Sequence, residues 1–155
     1  MGSIRILFCS ALVAVAASVP VTAAAQSGIT LWAGAGGAST DGTVTFGKEA
    51  KQLGVQLGLP ILPVAVRGDA LLFGNDFDTD ALSYNVNAVV QMRLPVVSPY
   101  GIIGRGKYAI APDQKETGWN MGGGVRLGLG RFGVFGEVRR HDVIKRTVTV
   151  VGLTF

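Results

Sequence analysis

The chain has 155 residues, of which 48% are hydrophobic, 15% are charged and 23 are glycine, with a formal net charge of +4. The length fits one domain, and the composition is too apolar for a disordered secreted tail. The basic residues are spread along the chain, and no basic cluster is long enough to indicate nucleic-acid binding.

The first 25 residues have the organisation of an export signal. Arg5 supplies a basic start, residues 7–19 form an almost uninterrupted apolar stretch, and an alanine run ends at Ala25. We predict cleavage after Ala25, which leaves residues 26–155 as the mature domain. An uncleaved anchor is the alternative, but the stretch is short for a span of about 20 residues. Cys9 leaves with the signal, so no disulfide or thiolate metal site is expected.

Apolar and polar residues then alternate with period two, as in strands whose two faces meet different surroundings. The pattern predicts eight strands of about ten residues, the length that a tilted strand needs to cross a bilayer. In the first of them, Trp32 points away from the apolar face. In chain order, the predicted strands are residues 29–36, 52–61, 64–73, 82–94, 100–110, 119–129, 132–139 and 146–155.

The predicted connections alternate between short and long. Tight turns with proline and glycine chemistry are predicted at residues 60–63, 95–99 and 128–132. Longer polar loops are predicted at residues 39–51, 74–81, 111–118 and 140–145. Short turns on one side and longer loops on the other are typical of outer-membrane barrels, and an even strand count places both termini on the short-turn side.

The bulky apolar residues share one face of the strands, and glycine, asparagine, glutamine and arginine share the other. The lumen of an eight-stranded barrel is too narrow for the bulky set. An arginine that faces lipid near the membrane midplane would cost about 2–4 kcal/mol. The pattern therefore predicts an apolar outside. A soluble secreted barrel or sandwich is the alternative, because alternation alone does not distinguish inside from outside.

The segment 146–155 alternates and stops on an aromatic residue. One face of this segment carries Thr147, Thr149, Val151, Leu153 and Phe155. Such a segment resembles the last strand of a bacterial outer-membrane β-barrel. Residues 26–155 as a whole resemble the small eight-stranded OmpA/OmpX-like porin-family barrels. The resemblance rests on architecture and the terminal strand, and no catalytic motif supports it.

The resemblance implies an all-β, eight-stranded, antiparallel up-and-down transmembrane β-barrel. It places the protein in the bacterial outer membrane with both termini in the periplasm. The partners that it implies are outer-membrane lipids, lipopolysaccharide and the barrel-assembly machinery, which would read the terminal segment as its signal. We expect a monomer with a structural or surface role. The outer loops are shorter than in adhesin-type members.

The predicted interior is polar and rich in arginine. The charged residues expected to line the lumen are Arg67, Asp69, Arg93, Arg105, Lys107, Arg126, Glu137 and Arg139. They predict a plug in which arginines bond to carboxylates and amides. A narrow path that prefers anions is the alternative, because one sign of charge dominates. The residues expected in an aromatic girdle at the headgroups are Tyr100, Tyr108, Trp119 and Phe155.

Catalysis and metal binding are weakly supported. His141 is the single histidine, and no serine lies at an evident hydrogen-bonding position to it, so a lipid-modifying enzyme is the least favoured alternative. Asp76, Asp78 and Asp80 have the spacing of a calcium loop, but the loop's glycine and its final acid are missing. We therefore predict no enzyme, no cofactor and no metal site.

Overall fold

The computed structural model describes residues 28–40, 48–59, 62–74, 82–92, 94, 96–111, 114–129 and 132–155. The predicted export signal, Arg93 and the aspartates at positions 76, 78 and 80 lie outside the described residues. No helix long and apolar enough to cross a bilayer occurs within those ranges.

Eight strands form one closed barrel, with each strand antiparallel to the next in chain order. The predicted all-β, up-and-down eight-stranded architecture is confirmed. The strands are β1 (Ile29–Thr40), β2 (Lys48–Gly58), β3 (Val64–Phe73), β4 (Leu82–Gln91), β5 (Val97–Ala111), β6 (Gln114–Leu129), β7 (Phe132–His141) and β8 (Arg146–Thr154).

The barrel closes because β1 pairs on both sides. Leu31 pairs with Val55 of β2, and Gly36 pairs with Val150 of β8. The seam between β1 and β8 runs from Trp32 to Thr40. Every strand is therefore paired on both sides along at least part of its length, and the wall of the described barrel closes without a free edge strand.

The two ends of the barrel differ. We call the end where β1 begins and β8 finishes the termini end, and the opposite end the hairpin end. The predicted polar loop at 111–118 at the hairpin end is mostly strand, because β5 continues to Ala111 and β6 begins at Gln114. Polar side chains do not prevent this, since the paired backbone satisfies its own hydrogen bonds and the side chains project into water.

Side chains alternate between wall and lumen along most strands. On β4, Val86 and Val90 are 66% and 57% exposed on the outer wall. Ser83, Asn85 and Asn87 of the same strand are buried in the interior. The outer wall is thus apolar and the interior is largely polar, the reverse of a water-soluble barrel.

Candidate functional site in the barrel interior

Four ionised side chains meet in the centre of the lumen; we call Arg67, Asp69, Glu137 and Arg139 the charged cluster. Arg67 and Asp69 lie two residues apart on β3, so both point inward, and Glu137 and Arg139 do the same on β7. All four are buried, with at most 5% of each residue exposed.

The charged cluster crosses the bore. β3 and β7 are four strands apart around an eight-stranded barrel, so their inward side chains approach from opposite walls. Arg67 Nη1 donates to Glu137 Oε2 at 2.5 Å, and Arg139 Nη1 donates to Asp69 Oδ1 at 2.6 Å. Arg139 Nη2 also donates to Glu137 Oε1. Two cations and two anions therefore join the walls with no net charge.

Neutral polar groups complete the coordination of the cluster. Gln56 Oε1 accepts two hydrogen bonds from Arg67, from Nε at 3.1 Å and from Nη2 at 2.9 Å. Tyr100 donates its hydroxyl proton to Glu137 at 2.8 Å, and Asn87 Nδ2 donates to Asp69 Oδ1 at 3.2 Å. Buried charges are stable only when they are paired and hydrogen-bonded in this way.

An aromatic layer packs beside the cluster. The Trp32 ring makes edge contacts with Phe135 at 4.6 Å and Tyr100 at 5.5 Å between centroids. Arg67 Cζ lies 3.7 Å from the centroid of Trp32, a cation–π contact. The ring of Tyr100 fits because β6 has a glycine beneath it: a Cβ at Gly124 would lie 2.5 Å from the Tyr100 hydroxyl oxygen. Charged and aromatic side chains together fill the lumen at this level.

The structure brings together four of the predicted lumen charges and places Arg105, Lys107 and Arg126 elsewhere. Arg126 faces inward toward the termini end, where its Nε donates to Thr154 Oγ1 at 2.9 Å. Arg105 and Lys107 differ from the prediction, because both side chains are exposed on the outer wall. The interior face of β5 carries Tyr100 and Tyr108 instead.

Because β5 turns the opposite face inward from the one predicted, two residues of the predicted girdle lie in the lumen. Tyr100 and Tyr108 are 7% and 0% exposed and belong to the lumen. Trp119 is 51% exposed on the outer wall. The Phe155 ring packs edge-on against Phe132, with centroids 5.6 Å apart. Two tyrosines fit inside because the other inward positions of β5 include glycines at 104 and 106, which leave volume for them.

The single histidine lies in the lumen near the hairpin end. His141 is 1% exposed, and its Nδ1 lies 3.0 Å from the Tyr108 hydroxyl oxygen. Two serines, Ser83 and Ser98, are engaged elsewhere: Ser83 Oγ accepts from the Ala109 amide, and Ser98 donates to the Leu94 carbonyl. No group of three or more potential metal ligands occurs in the part of the chain that the structure describes.

The terminal strand keeps one face toward the outside. Val151 and Leu153 are exposed at 62% and 44%, and they share the outer face with Thr147, Thr149 and Phe155. Val148, Val150 and Thr154 fill the lumen on the opposite face. The five residues predicted as an assembly signal thus form one continuous outward stripe.

Comparison with known proteins identifies a similar fold. The structure resembles the crystal structure of the N-terminal β-barrel domain of Pseudomonas aeruginosa OprF, with a TM-score of 0.62 and 14% sequence identity. The match covers 84% of this chain and 97% of that domain. No family model matches the sequence, and no curated protein matches it. At this identity, the similarity establishes the fold of a small eight-stranded barrel.

Proposed function

We propose that this chain is an integral protein of the bacterial outer membrane and that the charged cluster closes its lumen to solute flow. The observation that supports the closed lumen is a set of ion pairs between side chains of β3 and β7 across the bore. They join Arg67 to Glu137 and Arg139 to Asp69. These contacts occupy the bore from wall to wall. We expect a structural or surface role and no enzymatic activity.

The membrane location is supported by the outer wall. Large apolar side chains are exposed on all sides of it, for example Leu53 at 48%, Met92 at 64% and Val151 at 62%. A soluble monomer rarely exposes a contiguous apolar surface of this extent. A closed barrel also pairs all its backbone groups, which a strand needs within hydrocarbon. The similar fold of the OprF domain agrees with this location.

Several finer features belong to the same proposal. Residues 1–25 would be removed as an export signal, and the termini end would face the periplasm. The outward stripe of β8 would be the segment that the barrel-assembly machinery reads. Outer-membrane lipids, including lipopolysaccharide, would surround a monomer.

The first test is the migration of the protein on a detergent gel before and after boiling. Outer-membrane extract should contain a compact band that shifts on boiling, and Phe155→Ala should deplete this band several-fold because the assembly stripe loses its aromatic residue. Tyr84→Ala is the matched control, since it also removes an aromatic ring from the outer wall but leaves the stripe intact. A soluble periplasmic protein without a heat shift would contradict the proposal.

The second test measures ion flow through the barrel. We expect the purified protein in a planar lipid bilayer to show no stable conductance steps, because the charged cluster and the Trp32–Tyr100 contact fill the bore. A refolded sample that has lost the heat shift serves as the negative control. Reproducible steps from the intact barrel would favour the alternative, a narrow channel. In the described interior, a channel would have one cation beyond the neutral charged cluster, Arg126 near the termini end, since Arg105 and Lys107 lie outside.

A further inference from the structure

Three basic side chains project from the outer wall near the hairpin end, on the adjacent strands β5 and β6. They are Arg105, Lys107 and Lys115, and we call them the basic patch. All three are exposed. Their outward direction distinguishes them from Arg67 and Arg139, which point into the lumen.

The basic patch lies where the paired wall gives way to a free hairpin. The pairing of β4 with β5 reaches Lys107 through Tyr84, and the pairing of β6 with β7 reaches Asn120 through His141. Beyond these pairs, the described strand pairing of β5 and β6 is with each other, and the Asp142 amide of the β7–β8 turn donates to the Trp119 carbonyl. In a membrane barrel, this boundary is the depth at which hydrocarbon meets headgroups.

The residues around the basic patch are of the types expected at the boundary between hydrocarbon and headgroups. Trp119 lies directly opposite Arg105 on the neighbouring strand, and Tyr84 lies opposite Lys107. Both rings are about half exposed, as expected for aromatic residues at a membrane interface. On the side toward the barrel centre, Ile103 and Met121 form a paired apolar surface of the wall, each about half exposed.

Among the described residues, no ion pair joins a patch cation to a carboxylate. Surface ion pairs within the described ranges join Lys51 to Glu49 and Arg140 to Asp142, and none involves the patch. Two patch cations contact aromatic rings instead, with Arg105 Cζ 5.3 Å from the Trp119 centroid and Lys115 Nζ 5.3 Å from that of Tyr84. The positive charge is therefore available to an external anion.

We propose that the basic patch binds the phosphates of a lipopolysaccharide molecule in the surrounding leaflet. This inference depends on the proposed membrane location. The ligand must be amphipathic, because the cations border an apolar wall: its acyl chains would lie along Ile103 and Met121, and its sugar phosphates would reach the cations. Arginine offers a planar fork to phosphate, and the lysines add point charges. Each basic residue near an anionic lipid surface adds to the attraction.

The experiment compares binding of purified bis-phosphorylated lipid A to refolded barrels in non-ionic detergent by native mass spectrometry. The triple variant Arg105→Gln, Lys107→Gln, Lys115→Gln should bind roughly tenfold to 100-fold more weakly than the unchanged protein. Lys51→Gln, Lys145→Gln, Arg146→Gln is the matched control. It removes the same charge at the same end of the barrel, and it should bind within about threefold of the unchanged protein because its residues lie outside the patch.

Further measurements separate the possible results. The two triple variants should bind dephosphorylated lipid A with equal affinity. Excess inorganic pyrophosphate should not displace the bound lipid. Equal binding by both triple variants would overturn the proposal, as would stronger or equal binding of phosphatidylglycerol at the patch. The heat shift of each refolded sample shows whether a barrel has formed. Absence of the heat shift in the unchanged protein would overturn the proposed membrane location itself.

Discussion

Replacement of Glu137 by alanine should lower the free energy of unfolding by about 3–5 kcal/mol, because it leaves buried arginines without their shared anion. Glu137 accepts hydrogen bonds from Arg67, Arg139 and Tyr100, and it is 3% exposed. The remaining cluster would carry a net positive charge on side chains that are almost fully buried. Urea titration of the refolded barrel in lipid vesicles, followed by tryptophan fluorescence, measures the change.

Two further substitutions sharpen this result. Glu116→Ala removes a carboxylate that is exposed on the β5–β6 hairpin, so it should change stability by no more than about 0.5 kcal/mol. Glu137→Gln keeps a hydrogen-bonding side chain of the same length, so its loss of unfolding free energy should lie between those of Glu137→Ala and Glu116→Ala. Unfolding of Glu137→Ala at the urea concentration of the unchanged protein would mean that the charged cluster does not hold the lumen together.

Leu53→Arg should destabilise the barrel by about 2–4 kcal/mol when it is folded in lipid vesicles. Leu53 lies midway along β2, is 48% exposed on the outer wall, and is flanked by Ala33 and Ala70 on the neighbouring strands. An arginine there would have to leave its charge in hydrocarbon or bend toward the interface. Urea unfolding in vesicles of phosphatidylcholine measures the cost.

The same substitution discriminates between a membrane and a soluble protein. An exposed leucine in water can be replaced by arginine with a change of about 0.5 kcal/mol or less. Thr117→Arg, on the exposed part of the β5–β6 hairpin beyond the paired wall, is the matched control and should be nearly neutral. A Leu53→Arg barrel as stable as the control would show that the outer wall faces water.

For most strands, the sequence predicts which side chains point into the lumen because polar and apolar residues alternate along the strand. Alternation on β4 places Asn85 and Asn87 inside, and alternation on β7 does the same for Glu137 and Arg139. Where polar and apolar residues segregate by face, the narrow lumen of eight strands takes the face with small and polar residues, and the bulky apolar face turns outward. Even Trp32, opposite the apolar face of its strand in the sequence, follows the alternation into the lumen.

The rule failed on β5, where both faces carry residues of mixed character. Arg105 and Lys107 compete with Tyr100 and Tyr108 for the interior, and polarity alone favours the cations. In the proposed membrane location, the depth of these residues explains the difference, because long basic side chains near the end of the wall can keep their charge at the headgroups while their stems contact the apolar wall. Sequence alternation contains no information on depth. Nor does it show that Arg67 and Glu137, 70 residues apart, meet across the bore.

For the proposed membrane location, the seam between β1 and β8 links the order of synthesis to the route of insertion. Until β8 is present, β1 has one partner, and its free side would carry unpaired backbone groups that hydrocarbon does not tolerate. Strands therefore cannot be transferred into the bilayer one by one as stable intermediates. Contacts between the most distant parts of the chain must form at the final step, which makes folding slow and cooperative. A chain in transit needs shielding from water until its ends meet.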